Sequence, residues 1–455
     1  MLNRKIYNRI EDFYRNNPRK ALMLTGARQV GKSTIVEEYA THHFEHFIKM
    51  DFIQNSDYVT MLEGTKSADD ILLRLTAVFG DEMVPGKTLI FFDEVQECKE
   101  LITQIKYLVQ EGSYTYILSG SLLGTVFKDI LSVPVGYMSV YRMYPLDFEE
   151  FAYANGVSQK VIQTLKASFE NMTPVDSFIH ERMMALFELY LIVGGMPAAV
   201  TTYLETKNLR KVAEEQASII ALYKQDISKY DKQDQLYLNE IFDLIPSELN
   251  AKNKRFILKN LNENAKFSKY NNSFLWLKNA GAALPAHIVD EPKAPLLLNK
   301  SSNLFKLFSN DVGLLAAQYG EGIQLKILRH ETTMNFGSIY ENVVAQELQA
   351  HGYTLYYYNS KKFGELDFIL EEEGSAIPIE VKSGKDYYRH SAMDNIMAHP
   401  EFDIPKGYVF CNGNVETKDR ITYYPVYMIM FMQKQELPKE IIFDTDFSDL
   451  NAFVS

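Results

Sequence analysis

The sequence predicts an α/β protein, and three observations lead to this expectation. Near the N-terminus an apolar run, Ala21 to Thr25, is followed by a glycine-rich turn and a helix. A second run, Leu89 to Phe92, is apolar on successive residues, as is typical of a central parallel strand covered on both faces. In the distal third, an amphipathic helix pattern from Gly337 to Gly352 precedes three short strand patterns.

Size and composition favour several globular domains. The chain has 455 residues, of which 46% are hydrophobic and 23% charged. The charged N-terminus does not resemble a signal peptide. The longest uncharged apolar run, Leu189 to Leu204, has 16 residues interrupted by Gly-Gly and Pro, too short to span a bilayer. Cys98 and Cys411 have neither metal-ligand spacing nor the number needed for a disulfide framework. A cytoplasmic protein without a membrane partner is expected.

Charge is unevenly distributed along the chain. The formal net charge is −12, which argues against a nucleic-acid-binding surface over the whole molecule. Residues 251–330 contain 12 Lys/Arg against 5 Asp/Glu, a local net of +7, so the remainder carries −19. This basic segment can be a phosphate-facing patch or merely a solvated basic face.

The glycine-rich turn fits the phosphate-loop pattern G-x-x-x-x-G-K-[ST] in the required strand–turn–helix context. Backbone N–H groups of such a loop and the helix N-terminus bind the phosphates. Lys32 would reach the β- and γ-phosphates, and the Ser33 hydroxyl would ligate Mg²⁺. The predicted ATP-binding residues of this loop are Gly26, Ala27, Arg28, Gln29, Val30, Gly31, Lys32, Ser33 and Thr34.

Two carboxylates end the second apolar strand. Asp93 would belong to the Mg²⁺ shell, and Glu94 would orient or activate the attacking water. Alone, the pair could equally begin the helix that follows. The strand pattern of His46 to Phe52 lies between the two motifs and implies an extra strand separating them. Another strand ends near Ser119, which could contact the γ-phosphate or could belong to a turn or helix cap.

A candidate metal site lies in the distal third. Glu380 and Lys382 project to the same face of a strand, and Asp367 can lie across a hairpin from Glu380. Neighbouring carboxylates repel unless a cation or proton lies between them, and Mg²⁺ suits oxygen ligands near a phosphate. Lys382 could orient water and offset charge on the phosphate. Glu341, on the preceding helix, adds a further acid. An ordinary surface hairpin can produce the same spacing.

Taken together, the motifs resemble a known family. "LTGARQVGKST", "LIFFDEVQE", "YPLDFEEF" and "VGGMPAAV", followed by "GSIYENVVAQEL" and "GELDF…PIEVKSG", are similar to prokaryotic AAA-like P-loop ATPases with a C-terminal domain of unassigned function. The resemblance implies a restriction-endonuclease-like fold at the distal Asp…Glu-x-Lys site. The chain departs from the family's pattern at Ala27, where proline is usual, and at Tyr137, where arginine is common.

The resemblance and the residue patterns together divide the chain into four parts. A P-loop ATPase core is expected over 1–145, a helical lid over 146–230, a winged-helix-like domain over 231–317 and the restriction-endonuclease-like domain over 318–455. In the winged-helix-like part the candidate phosphate contacts are Lys266, Lys269 and Lys278, although such a unit can also serve only for packing. Trp276 is expected in the core. Candidate arginine fingers for a homo-oligomer are Arg28, Arg142 and Arg182.

Two functions follow. The first is an ATP- and Mg²⁺-dependent protein that binds DNA or another nucleic acid and carries a metal-dependent nuclease-like domain. Its catalytic residues in the ATPase core would be Lys32 and Glu94. In the nuclease-like domain they would be Glu341, Asp367, Glu380 and Lys382. The second is a nucleotide-controlled switch that docks a protein partner and whose distal domain is inert, because a fold does not by itself imply a function.

Overall fold

The structure is a computed structural model that describes residues 2–121, 136–228, 232–251, 254–257, 261, 267–329 and 336–434. The helices in these residues are α1 (Lys5–Asn16), α2 (Lys32–His43), α3 (Asp57–Leu62), α4 (Ala68–Phe79), α5 (Lys99–Glu111), α6 (Phe148–Ala154), α7 (Gln159–Glu170), α8 (Ser177–Val193), α9 (Pro197–Thr206), α10 (Leu209–Ser228), α11 (Lys232–Asn250), α12 (Phe267–Ala280), α13 (Val312–Gln318), α14 (Glu321–Leu328), α15 (Gly337–Ala350) and α16 (Ser391–Met397). The strands are β1 (Ala21–Thr25), β2 (His46–Asp51), β3 (Thr88–Asp93), β4 (Thr115–Gly120), β5 (Met138–Arg142), β6 (Ala283–Val289), β7 (Lys300–Ser309), β8 (Tyr356–Ser360), β9 (Gly364–Glu372), β10 (Ser375–Val381), β11 (Gly407–Cys411), β12 (Glu416–Lys418) and β13 (Ile421–Pro425).

The N-terminal part contains a parallel sheet, as the sequence predicted. Within the described residues five strands form it, in the order β2-β3-β4-β1-β5. Every residue of β3 is buried, which explains its uninterrupted apolar run. The expectation that the strand at 46–52 separates the two motifs is wrong. β4 lies between β1 and β3, and β2 is at the edge, because each right-handed crossover can return to either side of β1.

The helices that follow the first sheet begin with α6, whose N-cap residue is Asp147. The Asp147 carboxylate accepts a hydrogen bond from the Glu150 backbone N–H, and the Glu150 carboxylate accepts one from that of Asp147, which together form a capping box at the start of α6. Further along, α8 ends at Gly194, whose φ of 70° favours glycine, and α9 begins with Pro197. The glycine and the proline therefore separate two successive helices.

The second sheet is mixed and larger than the sequence predicted. In the described part of the chain it has eight strands, in the order β12-β13-β11-β10-β9-β8-β6-β7. The hairpin β6–β7, which was expected to be the wing of a separate domain, pairs through β6 with β8 in parallel. The strands on either side of the expected boundary at residue 317 thus belong to one sheet, because the free edge of β8 is satisfied by β6.

The two sheets are joined through a buried polar junction around residues 146–148. The Leu146 N–H donates to the carbonyl of Gly195 (2.7 Å), and the Gly195 N–H donates to Asp311 Oδ2 (2.6 Å). The Phe148 N–H donates to Glu347 Oε1 on α15 (2.9 Å). The carboxylates of Asp311 and Glu347 therefore each satisfy a buried backbone N–H of another element.

None of the helices in the described residues has both the length and the apolar character needed to cross a membrane.

The junction leaves no space for a side chain at Gly195. An added Cβ would lie 2.0 Å from the Leu146 carbonyl oxygen and 2.8 Å from its nitrogen, both backbone atoms. We expect Gly195→Ala to destabilise the fold by about 2 kcal/mol or more, because backbone cannot move as a flexible side chain would. Thermal unfolding measures this. Gly322→Ala on α14, where nothing lies within 4 Å of the added Cβ, is the matched control. Equal melting temperatures for the two variants would contradict the close packing of Gly195 against Leu146.

Candidate active site

The phosphate-loop residues lie in the turn between β1 and α2 and in the first residues of α2, as the motif predicted. Gly26 has a φ of 142°, and a Cβ on it would lie 2.2 Å from the Met143 carbonyl oxygen. Gly31 has a φ of 91° and directly precedes α2. Gln29 adopts a φ of 65° without being glycine. The two glycines are therefore required by backbone conformation and close approach, and the loop is held against the strand that ends at Arg142.

Lys32 points back toward its own loop. Its Nζ donates to the carbonyl oxygens of Gly26 (3.1 Å) and Ala27 (2.9 Å), and the residue is 6% exposed. Burial lowers the pKa of Lys32, while Glu94 and Asp93 oppose that shift. The side chain is thus a nearly buried cation in the concave side of a loop that presents backbone N–H groups, an environment suited to phosphate.

Asp93 lies opposite the loop and is held by two hydroxyls. Ser33 Oγ donates to Asp93 Oδ2 at 2.6 Å, and Ser119 Oγ hydrogen-bonds Asp93 Oδ1. Burial raises the pKa of Asp93, against the two hydroxyl hydrogen bonds. Ser119 is fully buried, and its hydrogen bond orients the Asp93 carboxylate; a contact with the γ-phosphate remains a prediction.

Glu94 has a left-handed backbone conformation, with a φ of 56°. Its Oε2 accepts hydrogen bonds from Gln96 Nε2 (2.6 Å) and Ser121 Oγ (3.3 Å). A non-glycine residue in this conformation is uncommon and costs free energy unless its surroundings hold it. The side chain lines the same cleft as Lys32 and Ser33, a position from which it can accept a proton from a water molecule.

Two clefts meet at Gly31. One, of about 310 Å³, is lined by Lys32, Ser33, Thr34 and Glu94 among others. The other, of about 500 Å³, is lined by Arg4, Met143, Pro197 and Thr201 among others. A charged cleft and a largely apolar one thus adjoin, and they share Gln29, Gly31 and Thr34 in their linings.

The three candidate arginine fingers differ in position. Arg28 lies within the phosphate loop and pairs with Asp226 on α10, Nη1 to Oδ1 at 2.6 Å. Arg142 Nη2 donates to the Lys278 carbonyl oxygen at 2.7 Å. Arg182 is exposed on α8 and contacts Phe178. Both Arg28 and Arg142 are thus engaged within the chain.

The residues at Asp93 suit a magnesium ion. A serine hydroxyl and a carboxylate oxygen 2.6 Å apart are hard oxygen ligands of the kind Mg²⁺ prefers next to a phosphate. The nearby Lys49 Nζ lies 3.6 Å from Asp93 Oδ2 and moderates the negative charge.

In the distal part, the predicted residues converge as the hairpin pattern indicated. The register of β9 and β10 ends with Ile379 opposite Phe368, adjacent to Glu380 and Asp367. Lys382 Nζ donates to Glu380 Oε2 at 2.7 Å, so these two side chains share a face. A cavity of about 630 Å³ is lined by Glu341, Asp367 and Lys382 together with residues of α8 and of the loop after β10.

Lysines surround these carboxylates. Lys254 hydrogen-bonds Glu341, and the fully buried Lys306 lies 3.7 Å from Glu341 Oε2 and 2.7 Å from Glu365 Oε1. Burial favours a raised pKa for Asp367, but Lys254, Lys306 and Lys382 together bring it below its usual value. The carboxylates are therefore compensated by ammonium groups.

This arrangement does not fit a bound metal. No group of three or more His, Cys, Asp or Glu side chains in the described ranges is placed to hold a metal ion. Lys254 hydrogen-bonds Glu341 Oε1, and Asp367 Oδ2 accepts the Val381 N–H at 2.9 Å. The distal metal ligands, Asp367 and Glu380, remain a prediction.

The lysines of the expected winged-helix part give a mixed outcome. Lys266 lies outside the described residues, and the structure does not describe the side chain of Lys269. Burial lowers the pKa of Lys278, with Lys300 and Arg142 adding to the shift. Trp276 is buried at 3% exposure, so its expected place in the core is confirmed.

Sequence reasoning missed three residues with close contacts to these sites. Lys254 and Lys306 face the distal carboxylates, and Arg4 Nη1 donates to the Val30 carbonyl oxygen of the phosphate loop (3.0 Å). The only available signal was the basic excess over 251–330, which contains both lysines but does not indicate which of its twelve cations point inward.

Comparisons with protein families match three successive segments. Residues 18–152 match an AAA domain. Residues 184–324 match a domain of unknown function (DUF8612), and residues 336–429 match another (DUF4143). A comparison with curated protein sequences finds no match.

Solved structures resemble the chain only remotely. A Walker-type ATPase of Pyrococcus abyssi is 14% identical with a TM-score of 0.43, over 70% of this chain and 96% of that one. Cdc6p of Pyrobaculum aerophilum is 12% identical with a TM-score of 0.26, over 72% and 94%. The Orc1 protein of Aeropyrum pernix, solved in complex with DNA, is 12% identical with a TM-score of 0.28, over 70% and 93%. The family matches therefore give a P-loop ATPase domain of the AAA kind followed by two domains of unknown function.

The buried Glu380 makes stability depend on pH. Burial raises its pKa to about 8, with Asp367 and Glu341 adding and Lys382 opposing. The folded state thus favours protonated Glu380, and this stabilisation, complete below the unfolded pKa of about 4.3, is lost as the pH rises toward about 8. Glutamine mimics the protonated form. We expect Glu380→Gln to raise the melting temperature relative to wild type, by an amount that increases from about pH 5 to pH 8.

Thermal unfolding at several pH values in EDTA checks this, with Glu401→Gln at an exposed position as the control. A difference in melting temperature that does not change with pH would show that Glu380 titrates normally.

Proposed function

We propose that the chain binds and hydrolyses ATP with Mg²⁺ at the turn between β1 and α2. The Ser33–Asp93 hydrogen bond carries this proposal, because it brings the loop's hydroxyl to the carboxylate at the end of β3, 2.6 Å apart. When bound, Mg²⁺ would offset negative charge on the β- and γ-phosphates. A loop of this kind paired with a strand-end carboxylate is the working arrangement of P-loop ATPases.

Each residue has a distinct task in this proposal. Lys32 exchanges its contacts with the loop carbonyls for the β- and γ-phosphates. Ser33 and Asp93 hold the metal. Glu94, fixed by Gln96 and Ser121, orients the attacking water and accepts its proton.

The second cleft would receive the rest of the nucleotide. It adjoins the phosphate cleft, and its lining by Met143, Pro197 and Ile35 gives apolar surface for a flat base. Arg4 and Glu38, in the same lining, supply polar groups.

The distal cavity supports a second candidate function, cleavage of nucleic acid. The favouring observation is that Glu341, Asp367 and Lys382 line a single cavity, with Glu380 hydrogen-bonded to Lys382. Lys382 and Lys385 in this lining can attract a phosphate backbone. In this proposal DNA or another nucleic acid is the partner. The chain would work as a homo-oligomer in which a neighbour supplies an arginine to the ATP site.

The competing proposal is a nucleotide-controlled switch that docks a protein and has an inert distal domain. Its support is the pairing of Glu341 with Lys254, which satisfies the buried carboxylate without a metal. The nuclease assay below separates the two.

Substitutions at the nucleotide site test the first proposal. We expect Lys32→Ala to lower ATP turnover by about 100-fold or more, because it removes the cation that contacts the transferred phosphate. Glu94→Gln should lower turnover by about 100-fold while ATP binding remains, because only the orientation of water is affected. Phosphate release and binding of a fluorescent ATP analogue measure the two effects. The exposed Lys87→Ala is the matched control, and full turnover in Lys32→Ala would refute the site.

Cutting of nucleic acid tests the second. We expect Mg²⁺- or Mn²⁺-dependent nicking of DNA that falls by about 100-fold or more in Glu380→Ala and in Lys382→Ala, because each loses a group beside the scissile phosphate. Gel assays on supercoiled DNA and single-stranded RNA measure it, with the exposed Lys362→Ala as control. Binding without cutting on every substrate would favour the switch.

A further inference from the structure

A short segment after α11 inserts a lysine into the distal cavity. Lys254 has a φ of 47°, a left-handed conformation that is unfavourable for lysine. Its backbone is held by a hydrogen bond from its N–H to the Ala251 carbonyl (3.2 Å). Two residues later the Phe256 N–H donates to the Phe305 carbonyl on β7 (3.1 Å), and the Ile257 N–H donates to Glu248 Oε2 (2.9 Å). The segment is thus attached on both sides of the lysine.

The ammonium group of Lys254 lies among the carboxylates. It hydrogen-bonds Glu341 Oε1 and lines the same cavity as Glu341 and Asp367. Burial would lower the pKa of Lys254, but Glu341 and Asp367 raise it above the usual value, so the group stays charged. Glu341 is only 2% exposed, so this ammonium is its main compensation besides Lys306.

A divalent metal and this ammonium cannot share the position. A metal bound by Glu341 and Asp367 would lie within a few ångströms of Lys254 Nζ, and like charges in a poorly solvated site repel strongly. One oxygen of Glu341, Oε1, already accepts a hydrogen bond from this ammonium, and the other, Oε2, lies 3.7 Å from Lys306 Nζ. Metal therefore enters only if Lys254 leaves.

We propose that Lys254 is a built-in stand-in cation that closes the distal carboxylate site to divalent metal until the segment 254–257 moves. This inference rests on the proposed nuclease-like role of Glu341, Asp367 and Glu380. It explains why a cavity lined by carboxylates fits a metal poorly in the conformation described.

Manganese binding to the full chain, without nucleotide, tests the proposal. All variants carry Asp93→Asn, so that the phosphate loop does not contribute a metal site. We expect Lys254→Met to bind Mn²⁺ about tenfold more tightly or better than the Asp93→Asn parent, by electron paramagnetic resonance and calorimetry, because a competing charge is removed. Adding Asp367→Asn should abolish the gain. Lys254→Arg, which keeps the charge, should bind as weakly as the parent.

The matched control is Lys385→Met, which removes one positive charge from the same cavity lining at an exposed position.

Thermal unfolding gives a second readout. Without metal, Lys254→Met should melt below the parent, because Glu341 loses its partner, and Mn²⁺ should restore the melting temperature of Lys254→Met only. Should Lys254→Met fail to fold, Lys254→Gln keeps a hydrogen-bond donor for Glu341 and gives the same readouts.

Equal Mn²⁺ affinity in the parent and Lys254→Met, or an equal gain in Lys385→Met, overturns the proposal.

The outcome for cleavage is separate and is measured in chains with native Asp93. If Lys254→Met gains Mn²⁺ but does not cut DNA or RNA, the stand-in cation is supported and the nuclease proposal fails. If wild type cuts as fast as Lys254→Met, the nuclease proposal stands and the stand-in cation is overturned.

Discussion

The fold depends on the satisfaction of a few buried backbone groups between residues 146 and 148. Leu146 is fixed by the Gly195 carbonyl, and Phe148 by the carboxylate of Glu347. A buried N–H without a partner costs as much as a lost hydrogen bond, so these contacts fix how the helical segment and the second sheet sit against the first. Arg4 adds a third connection: its Nε pairs with Glu150 at 3.1 Å, and both side chains are almost fully buried.

The same junction connects the two candidate sites. Arg4 donates to the Val30 carbonyl of the phosphate loop, and through Glu150 it contacts the capping box that α15 holds in place. Helix α15 carries Glu347 in the junction and Glu341 in the distal cavity, about 9 Å apart along its axis. One continuous set of buried contacts therefore runs from the phosphate loop to α15.

Charge compensation inside the fold explains part of the basic segment. Lys254 and Lys306 belong to the segment with a local net charge of +7, and both lie beside the buried carboxylate of Glu341 on α15. Lys306 is fully buried between Glu341 and Glu365, where an unpaired charge would be strongly destabilising. Part of the excess that resembles a nucleic-acid-binding patch in the sequence is thus internal, paired across the fold.

The sequence alone determined the features that depend on neighbouring residues. The loop from Gly26 to Ser33, the buried strand ending at Asp93 and the α15 helix are each encoded within a few consecutive residues, where glycine conformation, side-chain period and motif spacing act locally. Only the tertiary structure decided which strand lies between β1 and β3, that the hairpin β6–β7 extends the second sheet, and that Lys254 reaches Glu341. These outcomes join residues far apart in the chain, and they are selected by the pairing of strand edges and the burial of charges, which no local pattern records.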